Sequence, residues 1–236
     1  AQNVIALTAL GEDAAALEQA EGEPRDMVTE LADGKLPYIT TAAYVLQAYD
    51  SGDYTVPEDK PSSREALIAY FLEEQLESGS WGFGTTPDVD TTAMVLAALA
   101  PYASSDEAVK ASVDNAVGWL ESIQADNGNF PGSYGENANS TATVIVALSA
   151  LGINVDTDER FVSEAGNSAL DGLLQYRTVD NGFGYQDNTQ TNAMATEQGF
   201  RALIAWTGMV RANGPYAVFD FSGNSSGGGA ETVTVS

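Results

Sequence analysis

The sequence predicts an all-α chain: about five helical hairpins over residues 1–212, curled into a closed ring or an open horseshoe, then a short extended tail over 213–236. Three observations carry this reading. A motif recurs at a fixed spacing, amphipathic stretches alternate with alanine-rich apolar ones, and strand patterning is scarce before residue 216.

The repeat comes first because it organises everything else. Gln75, Gly79, Trp81 and Thr92 reappear 49 residues further on as Gln124, Gly128, Phe130 and Thr141. The first copy reads Phe71-x3-Gln75-x3-Gly79-x-Trp81 and the second Leu120-x3-Gln124-x3-Gly128-x-Phe130. A looser third carries Leu174 and then Asn181-Gly182-Phe183-Gly184, and a faint earlier one has Asp33-Gly34 before Leu36. Self-similarity at one offset marks a repeated supersecondary unit. Glycine in each turn permits backbone angles closed to other residues, and the neighbouring aromatic fills the gap between helix ends. Gln75, Gly79, Trp81, Gln124, Gly128, Phe130, Gly182 and Phe183 are therefore expected to be structural.

Each copy has an amphipathic segment, a Gly/Asn turn with an aromatic, and an apolar segment. The leading segments are 62–78, 106–125 and 159–177, with apolar residues at helical spacing such as Leu67, Phe71, Leu72 and Leu76. The following segments, 90–102, 139–151 and 192–207, are apolar nearly all round and so belong inside. Segments 40–50 and 3–11 read the same way, which makes five inner helices. A unit of about fifty residues is longer than the common solenoid unit of roughly 34 and favours the ring. The one strand-like run is Tyr216-Ala217-Val218-Phe219-Asp220-Phe221, followed by a Gly/Ser-rich linker at 222–229 and an end at 232–236 that begins a further domain or frays.

Composition removes several chemistries. The chain has no cysteine and no histidine, so Ser-His-Asp and Cys-His catalysis, disulfides and thiolate zinc sites are closed to it, and no metal or cofactor is expected. Nine Lys plus Arg against 34 Asp plus Glu give a net charge of −25, which repels phosphate backbones and anionic lipid, so nucleic acid is not an expected partner. No apolar run is long enough to cross a bilayer, and no secretory leader is visible at the start.

The pattern aromatic-x3-Gln-x3-Gly-x-Trp resembles the QW repeat of squalene and hopene cyclases. Asp88-Val89-Asp90-Thr91-Thr92-Ala93 resembles their Asp-x-Asp-Asp-Thr-Ala catalytic motif. The wider superfamily takes in protein prenyltransferases, cobalamin carriers such as intrinsic factor, and complement thioester domains, and the resemblance implies its α/α toroid over roughly residues 3–210. Tyr49-Asp50-Ser51-Gly52-Asp53-Tyr54, Asp90-Thr91-Thr92-Ala93-Met94 and Asn192-Ala193-Met194-Ala195-Thr196-Glu197-Gln198 resemble segments of bacterial surface proteins with a prenyltransferase-like domain. That implies an extracellular or cell-surface setting. Two departures stand out. Such a toroid has six inner helices against five here, leaving the ring open or short of helices ahead of residue 1. Thr91 replaces the second Asp of the cyclase motif.

For Asp90 the resemblance implies a general acid, with Asp88 beside it, protonating an alkene. The residues themselves favour Asp90 as the N-cap of an inner helix with Asp88 near the positive helix end, since Thr40, Asn139 or Ser140, and Thr191 or Asn192 open the others. Prenyl transfer lacks its zinc ligands, and a glycosidase-like pair of Asp90 and Glu197 is a further enzymatic possibility. Tyr134 and Tyr185, late in their turns, are candidate rim residues, and Glu197 and Gln198, early in an apolar helix, are candidates to face a cavity. The expected function is a non-catalytic ligand-binding or interaction module, with Tyr134, Tyr185, Glu197, Gln198 and Asp90 contacting an unknown small molecule or surface partner. A corrinoid enters by analogy of fold only. The alternatives are a terpene-cyclase-like enzyme using Asp90, and a structural spacer or adhesion module with a plugged centre.

Overall fold

The computed structural model describes residues 1–35 and 38–224. In chain order its elements are α1 (Gln2–Ala9), α2 (Met27–Ala32), α3 (Ile39–Asp50), α4 (Arg64–Glu73), β1 (Gly82–Phe83), β2 (Thr86–Pro87), α5 (Val89–Leu99), α6 (Glu107–Ile123), β3 (Pro131–Gly132), β4 (Gly135–Glu136), α7 (Ala138–Ala150), α8 (Ala169–Leu174) and α9 (Ala193–Ala212). The expected all-α architecture is present. α1, α3, α5, α7 and α9 pack in sequence as an inner row, while α4 lies against α3 and α6, α6 against α5, and α8 against α7. The row curls, because residues of α3 and α9 line the same cavity as residues of α5 and α7.

Apolar content sorts the two layers. α6 buries one stripe, Val109, Val113, Ala116, Val117 and Leu120, and turns its other face to water. α7 buries ten of its thirteen residues, because it has neighbours on nearly every side. Small alanines at 142 and 147, fully buried, let these crowded helices approach closely.

The turn between an outer and an inner helix is built the same way in the first two copies, and the third shares its aromatic-to-threonine bond. Gly79 and Gly128 take left-handed φ values of +87° and +85°. The Gln75 amide nitrogen donates to Gly79 O at 2.7 Å and to Ser112 O, in the next outer helix, at 2.8 Å. Gln124 repeats this to Gly128 O and Phe161 O, both at 3.1 Å. The aromatic wedge Trp81, Phe130 or Phe183 is buried, and its backbone N–H donates to the hydroxyl of Thr92, Thr141 or Thr196 on the following inner helix. Trp81 also donates its indole N–H to Phe71 O at 2.8 Å.

Four expectations are corrected. Segment 159–177 is not one helix: a 3-10 turn at Glu159–Phe161 is followed by left-handed Gly166 (φ +83°), and Ser168 with Asp171 forms a capping box that starts α8 afresh. In the third copy the left-handed position is Asn181 (φ +66°), not Gly182; Gly182 stands where Ser80 and Asn129 stand, and a Cβ there would lie 2.5 Å from Thr191 Cγ2. Two-residue hairpins β1–β2 and β3–β4 follow Trp81 and Phe130. Finally, 216–221 is no strand but a strap across the ends of the inner helices, held by Tyr216 N donating to Ser149 O at 2.9 Å and Phe221 N to Ser51 O at 2.8 Å. Leu36 of the faint first copy and the linker residues from 225 onward lie outside the described residues.

The turn geometry separates two glycines sharply. A Cβ on Gly128 would fall 2.1 Å from Ser168 O, whereas one on Gly84, also left-handed at φ +60°, meets nothing within 4 Å. Gly84→Ala should cost only the left-handed penalty of about 1–2 kcal/mol. Gly128→Ala should cost more than about 4 kcal/mol, because two backbones must separate. Urea denaturation midpoints of the two variants check this ordering.

Candidate functional site

The caps decide which side chains face inward. Asp88, not Asp90, caps α5: its Oδ1 accepts from Thr91 N at 2.8 Å and from Thr91 Oγ1 at 2.7 Å. Asn137, not Asn139 or Ser140, caps α7, accepting from Ser140 N at 2.9 Å. Asn192 caps α9 as expected, and Tyr38 occupies the cap position of α3, ahead of Thr40, with no side-chain bond. The capping account of Asp90 is therefore overturned. Asp90 sits in the first turn, two residues inside the helix.

Counting from each cap, the cavity wall is periodic. Two residues on stand Asp90, Asn139 and Met194; six on, Tyr44, Met94, Thr143 and Gln198; nine on, Gln47, Ala97, Val146 and Arg201. All line one cavity of about 220 Å³ on the axis of the curl, closed from the strap side by Phe219. Steps of four and three residues keep to one face of a helix, so each inner helix presents one stripe to the axis.

Three of the residues that line this cavity carry an unmatched hydrogen-bond acceptor. Asp90 Oδ1, Asn139 Oδ1 and Gln198 Oε1 are each buried without a hydrogen-bond partner, on three different helices. A buried polar atom left unmatched costs roughly 1–3 kcal/mol, and native chains keep few of them. Burial raises the Asp90 carboxyl above its ordinary value; the Ser140 hydroxyl offsets this in part and the charge of Asp88 adds to it. Arg201 is already engaged, ion-paired to Glu197 and stacked 5.3 Å from the centre of the Phe219 ring.

Of the residues singled out in sequence, Asp90 and Gln198 meet here. Glu197 does not line the cavity; it lies on the exposed side of α9, four residues from its partner Arg201, so the Asp90–Glu197 pair is not formed. Tyr134 is 83% exposed at the tip of the β3–β4 hairpin, and Tyr185 is half-buried with its carbonyl accepting from Ala138 N at 2.8 Å; neither lines the cavity. Trp81, Phe130 and Phe183 are core wedges. Sequence reasoning missed Tyr44, Arg201 and Phe219, and it took Asn139 only for a cap. The 49-residue offset from Asp90 was the signal that pointed to Asn139.

No family model matches the chain, and no curated protein matches it in sequence. Among solved structures, ent-copalyl diphosphate synthase from Streptomyces platensis aligns with a TM-score of 0.52 at 22% identity, over 74% of this chain and 34% of that one. The shared feature is the α/α fold of a terpene cyclase. The chain spans about a third of the length of that protein, and the likeness concerns architecture alone.

A carboxyl held above its unfolded value keeps its proton more tightly in the folded chain. Its contribution to stability is complete below the unfolded value, about 3.9 for Asp, and is lost as pH rises through the folded value. Asp90→Asn should therefore be more stable than the wild type at pH 7, with the difference shrinking towards zero at acid pH. Thermal midpoints of both proteins between pH 3.5 and 8 test this, and a difference independent of pH would sink it.

Proposed function

We propose that this chain is a non-catalytic module that binds a small, hydrogen-bond-donating molecule in the cavity between its inner helices. The observation that carries the reading is the set of three unpartnered oxygens, on Asp90, Asn139 and Gln198, in the wall of one cavity. A ligand bringing donors would relieve their desolvation on binding. The volume of about 220 Å³ lies below the roughly 300–1,000 Å³ typical of drug-sized ligands. The ligand is accordingly small, and a corrinoid is too large for it. An extracellular or cell-surface setting belongs to the same proposal, supported by the acidic, lysine-poor composition and by the resemblance to surface proteins.

One observation favours a second reading, a cyclase-like enzyme. Asp90 is a largely buried carboxyl with raised proton affinity in a terpene-cyclase-like fold. Against it, among the described residues only Tyr44 and Phe219 contribute aromatic rings to the wall, where a developing carbocation needs aromatic faces. Thr91 also stands where the cyclase motif has its second Asp. A spacer with a filled centre is disfavoured by the cavity itself.

Titrations of 15N-labelled protein with glycerol, erythritol and glucose distinguish these readings. At least one probe should shift the amides of Asp90, Asn139 and Gln198 saturably, and Asn139→Ala and Gln198→Ala should each weaken it several-fold, as about 0.5–1.5 kcal/mol per hydrogen bond implies. Polyprene turnover by the wild type that disappears in a folded Asp90→Asn variant would replace this reading with the enzymatic one.

A further inference from the structure

On the far side of Phe219, at the C-terminal ends of α3, α5 and α7, lies a second cavity of about 340 Å³, roofed by strap residues 217–220. It shares Gln47, Ala97, Val146 and Phe219 with the first. Its body is apolar, formed by Ala97, Pro101, Val146, Ala150, Val218 and Phe219, and its polar end is Asp50, Arg64 and Tyr102.

The donors in that wall are committed. Arg64 gives Nε to Asp50 Oδ1 and to the Tyr102 hydroxyl, both at 3.2 Å, Nη1 to Tyr54 O at 2.7 Å, and Nη2 to Asp50 Oδ1 at 3.0 Å. Tyr102 donates its hydroxyl to the same Asp50 Oδ1 at 2.8 Å. Gln47 donates its amide nitrogen to Ala43 O and Ser51 its hydroxyl to Ala48 O. Arg64 and Tyr102 both converge on Asp50 Oδ1, and Asp50 Oδ2 is buried with no hydrogen-bond partner. Asp53 and Asp220 also line the space, so three carboxylates face one guanidinium that is already neutralised. An anion would find no free cation there. Nor do these carboxylates gather into a chelating set, since no group of three or more metal-ligating side chains is found among the described residues.

We propose that this second cavity binds a small aliphatic ammonium ion, its charged head at the Asp50 carboxylate and its hydrocarbon against Ala97, Val146 and Phe219. The head supplies the donor and the charge that the polar end lacks, and the chain occupies the apolar body. The inference is independent of the central cavity's role.

The test is a titration of 15N-labelled protein with n-butylammonium, n-butanol and butyrate at constant ionic strength. n-Butylammonium should shift the amides of Ala97, Val146, Phe219 and Asp220 saturably, with affinity at least ten-fold above that of n-butanol and no saturable effect of butyrate. Asp50→Asn should lose at least ten-fold in affinity for the ammonium probe. Should that variant fail to fold, Val218→Phe decides: it narrows the cavity from the strap, leaves the carboxylate intact, and must abolish binding while the remaining spectrum stays that of the wild type. The proposal is overturned by equal affinity for n-butanol, by undiminished binding in Asp50→Asn or Val218→Phe, by no saturable shift in the wild type, or by shifts confined to Asp90, Asn139 and Gln198.

Discussion

Each tight turn between an outer and an inner helix pulls backbone polar groups out of water, and each must be matched inside the protein. The chain solves this with one latch, used three times. A threonine hydroxyl, four residues past the cap of the inner helix, accepts the N–H of the wedge aromatic; Thr92 and Thr196 also reach back to its carbonyl, at 2.9 Å and 3.3 Å. Because one hydroxyl both accepts and donates, the latch fixes the rotation of the helix about its own axis, as well as its distance from the turn. With about 100° of rotation per residue, the residues two before and two after the threonine point roughly to the opposite side. Those are Asp90 and Met94, Asn139 and Thr143, Met194 and Gln198, and all six line the central cavity.

The latch therefore separates two tasks. Gln75, Gly79, Trp81 and Thr92, with their counterparts, hold neighbouring hairpins together through backbone contacts that tolerate little change. The inward stripe contributes little to that joint, so its composition is free to vary from helix to helix. It does vary: the position two after the cap is Asp, Asn and Met in α5, α7 and α9, and the position nine after it runs Gln47, Ala97, Val146 and Arg201 along the row. A repeated scaffold with an unrepeated bore is how this fold carries a specific pocket on a generic frame.

Much of this was legible in the sequence, for physical reasons that can be named. The 49-residue offset, the all-round apolarity of 139–151 and the glycine turns follow from local rules, and they led to the inner helices within a residue or two at most ends. The caps were misplaced because Asp88 and Asp90 are equally able to cap a helix, and only the hairpin geometry that brings Trp81 O to the N–H of Asp88 chooses between them. That two-residue error hid Asn139, which was assigned to a helix end alone, whereas Asp90 was kept as a ligand-contact candidate beside its capping role. The strap was misread as a strand because apolar residues dominate 216–221. The N–H groups of Tyr216 and Phe221 pair instead with helix-end carbonyls of Ser149 and Ser51, far away in sequence. Arg201 and Phe219 meet only through tertiary contact, which no local pattern announces.

The surplus of acceptors in both cavities has a common origin. With nine Lys and Arg among 236 residues and no histidine, side-chain donors are scarce, and the fold has first use of those it has: glutamine and threonine serve the turns, and Arg64 and Arg201 are held by Asp50 and Glu197. What is left buried without a partner is carboxylate and amide oxygen, on Asp50, Asp90, Asn139 and Gln198. Phe219 joins the two cavities into one device, since the ring is the floor of the first and a wall of the second. Its position is set by a strap hydrogen-bonded near both ends, and by Arg201, which reaches it from α9. A molecule wedged against either face of that ring works against the same cation–π contact and the same two strap hydrogen bonds.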